Sequence, residues 1–422
     1  MPRARTARFI TGARRGAVLF ACACGVCLPS CDGRAVAVSA TDGPDSFWVE
    51  PTGRAARQVR VWQERGREED AAALRRIADQ PTAVWMPGDG RDPKEQVEEV
   101  TRQAERADRV PLLVAYNIPH RDCGQYSSGG AKDATQYRAW LDSAAAGIGE
   151  RRAWVVLEPD AIAQWASGCV APDVAKERLG LLAEAVRKFK ANPRTSVYLD
   201  AGNSGWISDQ RLLAGALERA GVSQADGFAL NVSNFHTTPV TRAYGDKLSG
   251  LLGGAHYIID TSRNGNGPLP PEQDKATGGN GNESWCNPPG RALGAAPTTH
   301  TGAARVDALV WVKRPGESDG SCRGAPPAGH WWADYALKLA RAKPTAPAKP
   351  AAPQPVQVTK PVQVMKPVVK PVMPPAVAPP AAPAVAQEAP PAPRPTPQTP
   401  PAPVGPGSRR IRCLPAGRQG RL

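Results

Sequence analysis

An α/β fold, a distorted seven-stranded parallel β/α barrel of the TIM-like kind, is what the sequence predicts for residues 41–342, on three observations. Seven short β-rich runs recur along this stretch, amphipathic helical patterns separate them, and no nucleotide-binding loop follows the first run. Seven such units favour a barrel over an open doubly wound sheet.

The runs fall at 82–86, 111–117, 153–157, 196–199, 227–232, 256–259 and 308–312. Each is four to seven residues long and rich in Val, Ile, Leu and aromatic side chains, as strands buried on both faces should be. Between them lie PKEQVEEVTRQAERA, AKERLGLLAEAVRKFKA and DQRLLAGALERAG, in which apolar residues return every three or four positions. Strand and helix in alternation make βα units, whose strands must run parallel.

Outside the barrel the composition changes. The chain carries a net charge of +14, but residues 1–40 hold +5 of it and residues 343–422 hold +10, which leaves the central part at −1. A basic groove for nucleic acid is therefore not expected in the folded body. Arg3, Arg5, Arg8, Arg14 and Arg15 precede an apolar run from Gly16 to Leu28, followed by small residues at Ala35, Val36, Ala37 and Ala40. That is the order of a cleaved export signal, too short for a stable membrane span. Residues 343–422 repeat Pro, Ala, Val and Lys and cannot bury a core, so a disordered, extended tail is expected, with possible contact to acidic wall polymers. Export to an oxidising compartment makes two disulfides among Cys123, Cys169, Cys286 and Cys322 expected, and spacing alone leaves three pairings open. Cys22, Cys24, Cys27 and Cys31 fall in the signal and Cys413 in the tail.

In βα barrels the strand C-termini face one cleft, so the residues just after each run are the candidates for chemistry. Read in order, they are Trp85, then Tyr116 and Asp122, Glu158 and Asp160, Asp200 and Trp206, Asn231 and Asn234, Asp260 and Arg263, and finally Lys313, Glu317 and Asp319. A structural protein has no need for so many converging carboxylates, whose mutual repulsion costs stability. The five histidines show no HExxH or paired ligand spacing and there is no GxSxG elbow, so no metal or cofactor and no serine nucleophile is expected. What remains is carboxylate chemistry beside aromatic platforms, with 11 Trp against 6 Phe. Cleavage of a glycosidic bond suits it: one carboxyl protonates the leaving oxygen while another carboxylate activates or orients water.

The stretches YNIPHRDCGQYSSGG, VVLEPDAIAQ, VYLDAGNSGW, HYIIDTSRNGNGP, ESWCNPPGRALG and DALVWVKRPGESDGSC resemble, in this order and over nearly all of residues 45–340, the family 6 glycoside hydrolases, cellulases with a distorted seven-stranded α/β barrel. The resemblance implies an inverting mechanism on a β-1,4-glucan. It implies that Asp160 is the general acid, Asp122 its supporting aspartate, and Asp319 the base or the stabiliser of developing positive charge. It further implies that Tyr116 presses on the distorted sugar and Ser127 places the catalytic water. Asp200, Lys313 and Glu317 would line the cleft. Trp85 and Trp285 would stack on the glycone side and Trp206 on the leaving-group side. The implied disulfides are Cys123–Cys169 and Cys286–Cys322.

One position departs from the family pattern DAGHSGW: the chain has Asn203, which cannot carry charge and puts leaving-group-side preference in doubt. The stretch from Val312 to Trp331 is short, so an open cleft and internal cleavage are expected by a secreted or envelope-associated monomer. The other readings are exo-acting cellobiohydrolase action and a non-catalytic glucan-binding protein on the same fold.

Overall fold

The computed structural model describes residues 47–279 and 283–344. The export segment, most of the Pro-rich tail and the five cysteines assigned to them lie outside the described residues. Among the described residues no helix is long and apolar enough to cross a membrane.

Seven strands, β1 (Val84–Met86), β2 (Leu112–Ala115), β3 (Ala153–Leu157), β4 (Thr195–Asp200), β5 (Gly227–Leu230), β6 (His256–Asp260) and β7 (Val306–Val310), pair in sequence order. All six pairings are parallel. The sheet is a curled, distorted barrel, in agreement with the expectation. β1 and β7 are not ladder partners; Ala83 N–H donates to Trp311 O (3.0 Å) and Trp85 Nε1 to Val312 O (2.9 Å) across that seam. The apolar run at 308–312 read as strand to its end, yet the ladder stops at Val310. The carbonyl of Trp311 is taken by Ala83 instead, and a register shift between Tyr257 and Ile258 starts β7 earlier, at Val306. Helices Arg54–Glu64, Glu68–Ala78 and Ala333–Arg341 pack through Val59, Trp62, Leu74, Ile77 and Tyr335 against Trp311 and Leu293 beside the same seam.

Side chains alternate along each strand, so each strand feeds two apolar layers. Leu113, Val155, Leu157, Val197, Leu199, Phe228 and Ile259 join the layer between sheet and helices. Leu112, Val114, Tyr116, Val156, Tyr198, Ala229, Ile258, Val310 and Val312 fill the barrel interior. Truncating a wholly buried side chain such as Leu199 to Ala would cost roughly 2–5 kcal/mol. Continuing the interior parity of Tyr198 and Ile258 by two residues brings Asp200 and Asp260 to the barrel mouth.

Three helices begin with a working aspartate cap: Asp92 accepts from Lys94 N–H, Asp133 from Gln136 N–H, and Asp209 from Arg211 and Leu212 N–H. Asp160 stands in the same place before the helix Ala161–Ala166 but makes no capping bond; its backbone is left-handed, with φ 70°. Left-handed non-glycine residues gather at this end of the sheet: Asp122, Glu158, Asp160, Asn231, Ser233 and Asn287. Such conformations cost of order 1–3 kcal/mol each and persist where surrounding bonds enforce them.

Candidate active site

The loops after β2 and β3 and the last residue of β4 bring three carboxylates together. The backbone N–H of Asp160 donates to Asp200 Oδ2 at 2.8 Å, and Gly202 N–H donates to the same oxygen at 3.2 Å. Asp200 is 1 % exposed, and its Oδ1 has no hydrogen-bond partner among the described residues. Burial pushes the Asp200 carboxyl up to about 7, against the two N–H donors and with help from the charge of Asp260. The Asp160 carboxyl is held well above the carboxylate range by burial, then by the charges of Asp200 and Asp122, with Lys313 opposing. Burial also raises Asp122, although Ser127 N–H donates to its Oδ2 at 2.6 Å and Arg121 lies beside it. All three carboxyls therefore bind a proton more tightly than an exposed aspartate does.

Tyr116 lies against this cluster. Burial, Asp160 and Asp122 all push its hydroxyl pKa up, so it stays a neutral phenol. Its ring meets Trp85 edge-on at 5.2 Å and carries the Arg121 guanidinium at 4.6 Å. Arg121 also donates to the carbonyls of Ser127, Pro87 and Tyr116, which ties down the loop that holds Asp122. Behind it, wholly buried Glu158 accepts from Asn117 N–H, Ile118 N–H and Tyr137 Oη at 2.9–3.0 Å. Burial raises Glu158 to about 7 despite these donors. Arg178 donates to the carbonyls of Pro119, His120 and Ala161, so one buried guanidinium links the segments leading to Asp122 and leaving Asp160. The Cys123–Cys169 disulfide joins the same two loops.

Asp319 is of the opposite character. Its Oδ2 accepts from Arg263 Nη1 at 2.8 Å and from Asn287 N–H at 3.0 Å, and its Oδ1 lies 2.9 Å from Lys313 Nζ. Burial alone would raise its pKa, but Arg263 and Lys313 outweigh it and hold the carboxylate below its usual value. Arg263 is itself wholly buried, with its guanidinium 4.3 Å over Phe235 and Nη2 donating to Ser233 O. Asp260 binds the Ser233, Ser262 and Lys313 N–H groups and so fixes the ends of β5, β6 and β7 to one another.

The remaining expected residues fall on both sides of this centre. Trp285 is half-buried beside Tyr126, ring centroids 6.2 Å apart, and the Tyr126 hydroxyl donates to Glu283 Oε1 at 3.0 Å. Trp206 is 37 % exposed, among the most accessible large apolar side chains described. Asn203 uses its Oδ1 to accept Gly205 N–H at 3.0 Å, a local turn that sets the backbone leading to Trp206. Ser127 is within the loop of Asp122, while Asn234 spends its Oδ1 on Phe235 N–H. Glu317 pairs with Arg54 and Arg314, both at 3.6 Å. Both disulfides, Cys123–Cys169 and Cys286–Cys322, are formed as the resemblance implied. The sequence named Arg263, Asp260 and Glu158 only as strand-end residues, and it missed Asn287 and Tyr126. Their neighbours in the quoted blocks, Cys286 and Ser127, were the available signal.

The site thus offers one set of carboxyls with raised proton affinity and, on a different loop, one carboxylate whose proton affinity is lowered, with aromatic faces on either side. Comparison with known proteins gives the same direction. The sequence model of the glycosyl hydrolases family 6 matches residues 43–343. Endoglucanase A of Cellulomonas fimi is 41 % identical over 297 residues, covering 70 % of this chain and 61 % of that protein, so the chain spans about three-fifths of that relative's length. Endoglucanase 1 of Streptomyces sp. (strain KSM-9) is 40 % identical over 296 residues, covering 68 % of this chain and 77 % of the relative. Among solved structures, an endoglucanase of Mycobacterium tuberculosis in complex with methyl-cellobiosyl-4-deoxy-4-thio-β-D-cellobioside superposes with a TM-score of 0.64 and 43 % identity, covering 69 % of this chain and 95 % of that one. With this strand order, this division of carboxyls and a family match over most of its length, the chain belongs to the glycosyl hydrolases of family 6.

Proposed function

We propose that the protein is an exported, inverting endo-β-1,4-glucanase that hydrolyses internal bonds of cellulose or a related β-glucan. The observation that carries this reading is the division of labour among its carboxyls: Asp160 held protonated beside Asp200 and Asp122, Asp319 held ionised by Arg263 and Lys313. An acid that keeps its proton near neutrality can deliver it to the departing glycosidic oxygen. As that bond lengthens, positive charge grows on the ring, and a fixed carboxylate is the group that stabilises it.

Asp319 has both oxygens committed to donors and a lowered proton affinity, which makes it a weak proton acceptor. Its role is electrostatic, and the attacking water passes its proton outward through the loop of Ser127 and Asp122. Tyr116, neutral and backed by Trp85, presses on the sugar at the cleavage point. Trp285 and Trp206 stack on glycone-side and leaving-group-side rings, and Asn203 gives a weaker, uncharged leaving-group contact. Internal cleavage draws support from the relatives named endoglucanases and from the short stretch between Val312 and Trp331. The test is hydrolysis of cellohexaose with anomer detection: α-configured products are expected, no products from Asp160→Asn, and β products would overturn the mechanism.

A further inference from the structure

Asn287 follows Cys286 in a turn that belongs to no helix or strand, is 3 % exposed, and has a left-handed backbone with φ 45°. Its contacts with Asp319 are reciprocal. Asn287 N–H donates to Asp319 Oδ2 at 3.0 Å, while Asp319 N–H donates to Asn287 Oδ1 at 2.9 Å. Its Nδ2 then donates to Gly320 O at 2.9 Å and Ser318 Oγ at 3.2 Å, so the one side chain binds residues on both sides of Asp319. The Cys286–Cys322 disulfide closes this frame, with one sulfur next to Asn287 in sequence and the other three residues past Asp319. Arg323 adds a bond from Nε to Cys286 O at 2.9 Å, and Tyr335 Oη one to Pro288 O at 3.1 Å.

The two cations on Asp319 supply charge, and Lys313 also donates to the carbonyl of Ser318 at 3.1 Å, but neither can accept from the Asp319 N–H, which among the described residues only Asn287 Oδ1 holds. The direction of the carboxylate needs a group that both accepts from the Asp319 N–H and donates to the next carbonyl. A primary amide does both; a carboxylate cannot donate, and a hydroxyl is too short to span both sides. We propose that Asn287 is a positioning residue for the hydrolytic reaction, which aims the Asp319 carboxylate at the sugar ring through this two-way clasp. The inference rests on the electrostatic role given to Asp319 above.

The groups facing Asp319 are Arg263, Lys313 and the Tyr335 hydroxyl, and a carboxylate at position 287 would be the one added negative charge among them. Like charges disfavour each other's ionised form, and the reaction needs Asp319 ionised, so Asn287→Asp raises the pH at which activity is lost on acidification. The experiment compares pH–rate profiles of the full chain, Asp319→Asn, Asn287→Asp and Asn287→Ser on soluble carboxymethylated cellulose, with folding checked by near-ultraviolet circular dichroism. The acid limb of Asn287→Asp should move up by about one pH unit. Asn287→Ser, which keeps the backbone donor but loses the clasp, should lose about tenfold in kcat with KM within twofold, and it decides the matter alone should the Asp variant not fold. Parent-like acid limb and kcat in the folded Asn287 variants, with Asp319→Asn inactive, would overturn this inference and leave the role of Asp319 standing. Parent-like activity of Asp319→Asn would overturn both.

Discussion

Asp160 gives its backbone N–H to the carboxylate of Asp200, while its own carboxyl stands uncapped at the start of a helix. The bond ties the two acids together, and Asp200 is the charge that most strongly resists ionisation of Asp160.

This coupling sets the alkaline limb of the rate profile. In the mechanism proposed above Asp160 works protonated, so activity should fall as pH rises through its elevated pKa. Asp200→Asn removes the strongest charge raising that pKa, and the alkaline limb should move to lower pH by about a unit or more. Asp160→Asn should lower kcat by about 10²–10⁴-fold near the pH optimum and abolish the alkaline limb that Asp160 sets. Initial rates on a soluble glucan across pH 4–9 check both; an unmoved alkaline limb in Asp200→Asn would contradict the coupling.

Glu158 should leave its mark on stability rather than on rate. Its pKa is raised in the folded chain to about 7, so the folded state holds this proton where the unfolded chain has lost it. The parent therefore gains stability relative to Glu158→Gln as pH falls from about 7 toward the unfolded value of 4.5. The gap should grow by on the order of 3 kcal/mol over that window. Urea denaturation of the two proteins at pH 5 and pH 8 measures it, and a pH-independent gap would show that Glu158 is ionised throughout.

Arg263, wholly buried itself, pairs with the buried carboxylate of Asp319. Arg263→Met strands Asp319 without its main cation and should cost roughly 3–5 kcal/mol, while Arg263→Met with Asp319→Asn should recover part of that loss. Thermal melts of the two variants beside the parent decide whether the pair is coupled.

Trp206 presents an exposed ring and is not part of the main apolar layers. Trp206→Ala should weaken binding of cello-oligosaccharides by about 1–2 kcal/mol, read as a rise in Kd by calorimetry, with the melting temperature nearly unchanged. A large drop in melting temperature would mark Trp206 as a packing residue instead.

The barrel was legible in the sequence because buried parallel strands leave continuous apolar runs, and each of the seven runs contains most of a strand. Strand ends were read less well. At β7 the apolar run continues past the ladder because Trp311 and Val312 serve the seam with β1, a long-range relation that no local pattern carries. The carboxylates at the strand ends were legible from position, but their protonation was not. Asp160 and Asp319 look alike in sequence, and only the tertiary placement of Arg263 and Lys313 separates a proton donor from a fixed anion. Asn287 escaped, and Glu158 was legible only as a strand-end residue, for a related reason: they bind backbone amides, which have no sequence signature. Glu317 shows the converse, since its partners Arg54 and Arg314 come from the first helix and the end of the sheet.

The two disulfides have a consequence for proteolysis. Each closes a covalent ring, of residues 123–169 and 286–322, and the two rings include Asp160 and Asp319 respectively. A single peptide-bond cut inside either ring leaves the severed ends still tethered, so a nicked molecule can keep its catalytic parts in register. Electrophoresis after limited digestion should therefore show one intact band without reductant and two fragments with it.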